Sequence, residues 1–198
     1  MEDLKELVDQ DEVAKLIEYC EELEFKLAAT PDDSVNLDEF YGAFLAAYLI
    51  QNELPSARFL WKRIPEEIKT SSEQLRAVWE VATDLWQRDY TPVYYSVEQK
   101  PWTPLIGSLM KKVAETLRER IFALLSEAYS SITVEEVSNF IGVPVDRVAQ
   151  VTAERGWIYD AATNTLQPKK IVEPGIDRSA SLGSFSRLTD LVIHLERS

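Results

Sequence analysis

The sequence contains one cysteine, one histidine and six glycines, and each scarcity excludes a class of function. Cys20 has no second cysteine with which to form an internal disulfide, which is typical of proteins in a reducing compartment. A zinc site needs several His or Cys ligands, and Cys20 and His194 stand near opposite ends of the chain. The glycines do not cluster, so there is no glycine-rich loop to hold a phosphate. We therefore expect neither a metal ion nor a cofactor.

Long apolar runs are also missing. The longest, around Phe44–Ile50, is far shorter than the roughly 20 residues needed to span a bilayer. The first residues, MEDLKELVDQDE, are acidic and lack the apolar stretch of a signal peptide. Because hydrophobic residues still make up 45% of the chain, a sizeable core is predicted. The sequence is that expected of a soluble intracellular protein without a membrane partner.

Basic residues are scarce: 21 lysines and arginines stand against 34 acidic residues, giving a net charge of −13. Residues 1–40 alone hold 14 acidic and 3 basic residues, a net charge of −11, and the remainder is close to neutral. Nucleic-acid binding depends on positive charge that neutralises phosphates. No part of the chain has such an excess, so direct binding to nucleic acid is not expected.

The first hundred residues show the apolar spacing of helices. Apolar side chains recur at helical intervals in four segments, at residues 13–27, 37–49, 54–64 and 75–86. Short polar turns separate them, which predicts antiparallel helical hairpins stacked side by side. No exact repeat is visible, so the expected architecture is a short, degenerate helical-repeat array.

Local signals predict where these helices begin and where they are interrupted. Asn36 is positioned as an N-cap, with Glu39 completing a capping box. Ser71 or Ser72 is positioned to cap the fourth helix. The aromatic and proline-rich segment DYTPVYYSVEQKPWTP, residues 89–104, is predicted to interrupt the helices. It is interpreted as a hinge or as a packing element that uses Tyr90, Tyr94, Tyr95 and Trp102.

After residue 104 the sequence predicts one long helix followed by a module of short helices and strands. One long helix is predicted from the apolar spacing over residues 106–125. After it, residues 132–167 read ITVEEVSNFIGVPVDRVAQVTAERGWIYDAATNTLQ. This stretch predicts a short strand, a helix that ends at Gly142, a second helix with Pro144 in its first turn, and a β-hairpin whose second strand is Thr165–Gln167. Helix, strand, helix, helix and hairpin is the element order of a winged helix.

The second helix of this module is poorly suited to reading DNA. Its acidic residues, Asp146 and Glu154, balance Arg147 and Arg155, so its net charge is zero. Recognition helices use Lys and Arg to contact phosphates, and Arg, Asn or Gln to contact base edges. We therefore interpret the winged helix as a unit for protein packing.

The C-terminal segment is predicted to hold an assembly helix. Residues 168–181 are rich in Pro, Gly and Ser and lack periodicity. The residues that follow form an apolar stripe at helical spacing, which is expected either to bind a partner or to fold back on the chain. The stripe comprises Leu182, Phe185, Leu188, Leu191, Val192 and Leu195.

The order of these units is similar to that of the PCI domain, which recurs in the signalosome, the proteasome lid and translation initiation factor three. Within this family, ARFLWKRIP at residues 57–65 resembles the smallest signalosome subunits, with Trp79 and Trp86 following in agreement. The resemblance implies a mainly α fold. It would comprise a helical-repeat region at 1–103, a linking helix and winged-helix subdomain at 104–170, and a linker with a C-terminal amphipathic helix at 171–198.

The resemblance also implies a function. Signalosomes remove a ubiquitin-like modifier from the cullins of ubiquitin ligases, and the family places that isopeptidase activity in a different subunit. The chain is therefore expected to be a non-catalytic scaffold in a hetero-oligomer with other PCI-domain subunits, in the cytoplasm and nucleus, with a role in developmental and light signalling. The alternatives are the equivalent subunit of the proteasome lid or initiation factor, and a winged-helix nucleic-acid binder. No catalytic residue is expected.

Two candidate contact surfaces accompany the tail helix. Family members join their winged helices edge to edge, and the wing strand Thr165, Leu166 and Gln167 is interpreted as the edge strand with free backbone groups. In the ARFLWKRIP segment, Trp61 is predicted to lie in the core. Arg58, Lys62 and Arg63 form a candidate basic surface that could pair with acidic N-terminal helices of this chain or of a partner.

Overall fold

A computed structural model describes residues 8, 12–29 and 36–169, and this part of the chain is mainly helical, as the sequence predicts. The predicted C-terminal helix at residues 182–198 and His194 lie outside the described residues. In chain order the described elements are α1 (Val13–Ala29), α2 (Leu37–Gln51), α3 (Leu54–Arg63), α4 (Glu66–Ser71), α5 (Glu73–Gln87), α6 (Tyr90–Gln99), α7 (Pro104–Ala128), β1 (Ile132–Thr133), α8 (Val134–Ile141), α9 (Val145–Glu154), β2 (Ile158–Asp160) and β3 (Thr165–Gln167).

Helix α2 is the centre of the core. It packs against α1, α3, α5 and α7. Every residue from Gly42 to Ile50 is buried, because apolar and small side chains occupy all sides of this helix and not one face alone. The hydrophobic core continues from α1 through α2 to Leu166 of β3. The predicted domain boundaries at 103/104 and 170/171 stay predictions.

The predicted helix caps had different outcomes. Ser72 caps α5, since its side-chain oxygen accepts a hydrogen bond from the Leu75 backbone N–H at 3.2 Å, which confirms the prediction. The prediction of a capping box at Asn36 is wrong. Asn36 precedes α2, but its side chain makes no cap hydrogen bond, and only its backbone carbonyl accepts from Phe40. A capping box forms instead at the start of α8, between Thr133 and Glu136.

The prediction that residues 89–104 interrupt the helices is wrong for most of the segment, because Tyr90–Gln99 forms α6. Pro92 does not prevent this, since it stands in the first turn, where its missing N–H would have had no partner within the helix. Within residues 89–104, the non-helical residues are Asp89 and those from Lys100 to Thr103. A further short helix, α4, was not predicted from the sequence.

The aromatic residues of this segment differ in their packing. Tyr94 is buried, and Tyr90 and Trp102 are partly buried against the core, as the packing interpretation predicts. The Trp102 indole N–H donates to the Val97 carbonyl at 3.2 Å. The prediction that Tyr95 packs against the core is wrong, because this residue is 68% exposed.

The element order predicted for residues 104–167 is confirmed. Gly142 ends α8 with a positive φ of 64°, and Gly156 follows α9 with a φ of 78°, a conformation that glycine adopts without a steric cost. Pro144 lies one residue before α9, not inside its first turn. The three strands form one antiparallel sheet in the order β1-β3-β2.

A dense set of contacts fixes α8 against the helical array. Three consecutive backbone carbonyls at the end of α8 each accept a hydrogen bond from a side chain of α6 or α7. The donors are Thr91 to Asn139 at 3.3 Å, Tyr94 to Phe140 at 3.2 Å and Arg118 to Ile141 at 3.0 Å. The Arg118 guanidinium also lies 4.8 Å from the centre of the Tyr94 ring. These contacts orient residues 132–169 relative to the array, and we call them the α8 joint.

Candidate assembly surfaces

The wing strand β3 cannot act as an edge strand, so the prediction for Thr165, Leu166 and Gln167 is wrong. Leu166 pairs with Ile132 of β1 on one side and with Tyr159 of β2 on the other. The short strand β1 thereby occupies the side of the hairpin expected to be open. Leu166 is also fully buried. A central strand has no free ladder of backbone groups to offer a neighbouring sheet.

The strand of the hairpin that lies at an edge of the sheet is β2. Within the described residues it pairs only with β3, so its outer backbone groups have no sheet partner. Ile158 is 64% exposed and Tyr159 is 45% exposed, which places apolar surface along this edge. The sequence signal was present, because Ile158 is a β-branched apolar residue that alternates with the buried Trp157. Only the strand order shows that it borders an edge.

The turn that joins β2 to β3 is held by its own side chains. The Asp160 carboxylate accepts hydrogen bonds from the Ala162 backbone N–H at 2.9 Å and from the Thr163 hydroxyl at 3.0 Å. These bonds stabilise the charged form, so the pKa of Asp160 lies below its usual value. The Tyr159 hydroxyl donates to the Asn164 side chain at 3.1 Å. The β2 edge is therefore presented on a locally braced hairpin.

Of the three predicted basic residues, Arg63 is engaged within the chain. Its guanidinium contacts the Glu24 carboxylate of α1 through two hydrogen bonds, at 2.7 and 3.2 Å. This contact raises the pKa of Arg63 and shows that Arg63 pairs with the acidic N-terminal helix α1. Beside it, the Tyr48 hydroxyl donates to Glu21 at 2.9 Å, so α1 is attached to both α2 and α3.

The other two basic residues face solvent. The Arg58 guanidinium lies 5.6 Å from the centre of the Trp86 ring, and Lys62 is exposed one helical turn further along α3. Among the described residues, neither side chain contacts a carboxylate. The predicted basic surface therefore has two parts. Arg63 forms an ion pair within the chain, and Arg58 and Lys62 are exposed to solvent.

The tryptophans stack beside these cations. Trp61 and Trp79 lie parallel, with ring centres 4.8 Å apart and an angle of 1° between their planes. The Lys69 ammonium lies 5.3 Å from the Trp61 ring centre. Trp61 is partly buried and packs against the core, so its prediction as a core residue is confirmed only in part.

Helix α9 offers little to a nucleic acid. Arg155, the residue directly after α9, donates to Glu119 of α7 at 2.7 Å and lies 4.0 Å from the centre of the Phe122 ring. This pairing holds the pKa of Glu119 below its usual value. Only Arg147 and Gln150 remain exposed to contact phosphates or bases.

The described residues also contain little that could support chemistry. Burial raises the pKa of the Cys20 thiol to about 12, so it stays protonated and packs as a small apolar side chain. No group of three or more His, Cys, Asp or Glu residues in this part of the chain could hold a metal ion. None of the described helices is both long enough and apolar enough to cross a membrane.

The sequence matches one protein family and is similar to several of its members over nearly the whole chain. Residues 35–175 match the CSN8/PSMD8/EIF3K family. COP9 signalosome complex subunit 8 of Xenopus laevis is 37% identical over 182 residues, which cover 92% of this chain and 91% of the relative. The proteins of the same name from Dictyostelium discoideum and Arabidopsis thaliana are each 31% identical, over 99% and 98% of this chain and 97% of each relative.

Proposed function

Because this chain belongs to the CSN8/PSMD8/EIF3K family, we propose that it is a non-catalytic subunit of a COP9 signalosome and acts by holding other subunits in place. The observation that supports this proposal is the similarity to signalosome subunit 8 along nearly the whole length of both chains, in animals, a plant and an amoeba. A match of such length includes the surfaces of a protein as well as its core.

The open β2 edge is the surface best suited to join a neighbouring subunit. In this proposal residues 104–170 are a winged-helix subdomain, and a strand of an adjacent subunit extends its sheet beside β2. Backbone hydrogen bonds would supply affinity, and pockets for Ile158 and Tyr159 would supply specificity. The braced turn at Asp160 supports this, because an ordered edge loses less conformational entropy on binding.

The second proposed contact is the C-terminal helix, which lies outside the described residues. Its apolar stripe is the part of the chain predicted to enter a bundle with helices of other subunits. Burial of each large apolar side chain is worth about 1.5–3 kcal/mol before entropy costs. In the assembled particle, the isopeptidase that acts on cullins would lie in another subunit. The particle would be present in both the cytoplasm and the nucleus.

Affinity purification of the tagged chain from cell extract tests this proposal. We expect the full chain to recover the other signalosome subunits together with cullin-deneddylating activity. Deletion of residues 182–198, or the double substitution Leu188→Asp with Val192→Asp, should reduce that recovery about tenfold or more, because the apolar stripe can no longer be buried. Ile158→Asp should weaken recovery by a separate route, through the β2 edge.

The matched control is Leu124→Asp, which introduces the same charge at an exposed apolar residue of α7. Recovery of proteasome-lid or initiation-factor subunits would replace the signalosome by one of the two alternative complexes. Unchanged recovery by the tail variants would show that the C-terminal helix is not an assembly element. Circular dichroism of each purified variant separates loss of contact from loss of folding.

Duplex nucleic acid should bind negligibly at physiological salt. The reason is the net charge of −13 together with the use of Arg155 in an internal ion pair. Fluorescence anisotropy with labelled duplex DNA and duplex RNA measures this directly. A sub-micromolar, sequence-dependent dissociation constant would favour the nucleic-acid alternative.

A further inference from the structure

The groove between α3 and α5 is an exposed aromatic surface that the proposed assembly contacts do not use. Its walls are formed by Leu54 and Arg58 of α3 and by Trp79, Ala82, Thr83 and Trp86 of α5. Trp86 is 51% exposed, although tryptophan has the largest apolar surface of any side chain. Tryptophan and arginine are both among the residue types enriched at the energetic centres of protein interfaces.

The size of the groove limits what it can hold. Its volume is about 210 Å³, whereas sites for small molecules and cofactors usually enclose roughly 300–1,000 Å³. A space of this size accommodates one or two protein side chains. The groove is also open to solvent, so the rest of a bound segment could lie on the surface beside it.

The charge at the groove indicates the chemistry of its occupant. Arg58 and Lys62 project from α3 and lack carboxylate partners among the described residues, in a chain whose net charge is −13. The guanidinium of Arg58 is held against the Trp86 ring, and a planar guanidinium can stack on an aromatic ring while it binds a carboxylate with two hydrogen bonds. A bound acidic residue would therefore meet a cation beside an aromatic ring.

From these observations we propose that the α3–α5 groove binds an acidic peptide segment of another protein, with an aliphatic side chain between Trp79 and Trp86 and neighbouring carboxylates on Arg58 and Lys62. This goes beyond the proposed signalosome role, since it assigns a separate site and does not depend on which complex the chain enters. Aromatic rings beside cations also suit single-stranded RNA. The peptide is favoured, because two cations in a strongly acidic chain are too few to follow a phosphate backbone.

The test measures binding of a fluorescein-labelled peptide of glutamates interrupted by one leucine to the purified full-length chain. A matched peptide with lysines in place of the glutamates is the control for charge. We expect the acidic peptide to bind at micromolar concentration, and added salt to weaken it. Arg58→Glu with Lys62→Glu, and separately Trp86→Ala, should each raise the dissociation constant about tenfold or more. The double charge-reversal variant should prefer the lysine peptide.

The control variant is Lys111→Glu with Arg147→Glu, which reverses two exposed cations on α7 and α9 and should change the dissociation constant by less than about twofold. Equal binding by the wild-type and groove variants, or no binding at millimolar peptide, would overturn the proposal. Tighter binding of oligouridylate than of peptide would assign the groove to RNA instead. If deletion of residues 1–11 strengthened peptide binding, the groove would belong to the chain's own acidic terminus. Dimerisation abolished by Trp86→Ala would assign it to a second copy.

Discussion

Gly142→Ala should lower the free energy of unfolding by about 2–4 kcal/mol, although the change adds only one methyl group. Gly142 has a φ of 64°, where any side chain is strained. A Cβ atom there would also lie 2.1 Å from Cδ2 and 2.3 Å from Cγ of Tyr94. Tyr94 cannot easily move away, because it is buried, its hydroxyl donates to Phe140, and its ring lies beside the Arg118 guanidinium.

Urea unfolding followed by circular dichroism measures the effect, and the melting temperature should fall by roughly 5–15 °C. Gly156→Ala is the matched control, since Gly156 also has a positive φ but its Cβ would meet only the flexible side chain of Lys169, at 3.3 Å. It should cost about 1–2 kcal/mol, the backbone strain alone. Equal effects of the two substitutions would mean that the contact with Tyr94 contributes nothing.

The consequence for function follows from the α8 joint. Gly142 stands directly after the three α8 carbonyls that accept hydrogen bonds from α6 and α7. Loss of this packing would release residues 132–169, including the β2 edge, from their fixed orientation. We therefore expect Gly142→Ala to reduce recovery of partner subunits even at temperatures where the helical array stays folded.

Phe44→Ala should lower the free energy of unfolding by about 3–5 kcal/mol. Phe44 is fully buried in α2, the helix that contacts four others. Its ring stacks on Tyr48 with centres 4.9 Å apart, and the ring of Phe40 lies 6.0 Å away. Truncation removes the buried ring and leaves a cavity that α1, α3, α5 and α7 cannot all move to fill, because each packs on a different side of α2.

Urea unfolding of Phe44→Ala should show a lower midpoint with an unchanged dependence on denaturant. Phe25→Ala is the control, because Phe25 is 78% exposed on α1 and its loss should change stability by less than about 0.5 kcal/mol. A cost below about 1 kcal/mol for Phe44→Ala would contradict the position of α2 at the centre of the core. Phe44→Leu should fall between the two, since it retains most of the buried volume.

Local sequence signals predicted one helix cap of this chain correctly and failed at two other positions. The sequence predicted Ser71 or Ser72 as a cap, because a serine, its helix and the N–H that it binds lie within four residues, and Ser72 makes the bond. Asn36 carried the same signal, yet its side chain makes no such bond. Proline at residue 92 suggested a break, but a proline in the first turn does not oppose a helix. In both cases the residue type alone does not determine the outcome, which depends on the position and conformation of the backbone.

The contacts of the predicted basic surface depend on helix packing, which the sequence does not show. The sequence grouped Arg58, Lys62 and Arg63 by their proximity in the chain. A helix turns by about 100° per residue, so neighbouring residues point in different directions. Arg63 consequently reaches Glu24 of α1, whereas the Arg58 guanidinium lies 5.6 Å from the centre of the Trp86 ring of α5. The partners belong to two different helices, and only their packing shows that one cation is paired and the other open.

The sequence alone determined the mainly helical class, the bounds of most helices, the positions of Gly142 and Gly156, and the order of elements from residue 104 to 167. These follow from periodicity and backbone preference, which act between residues close in the chain. Only the tertiary structure decided that β1 pairs with β3, that β2 is therefore the open edge, and that α3 and α5 enclose an aromatic groove. Strand order and helix packing depend on contacts between distant segments, and the free energy of those contacts is set by the whole core at once.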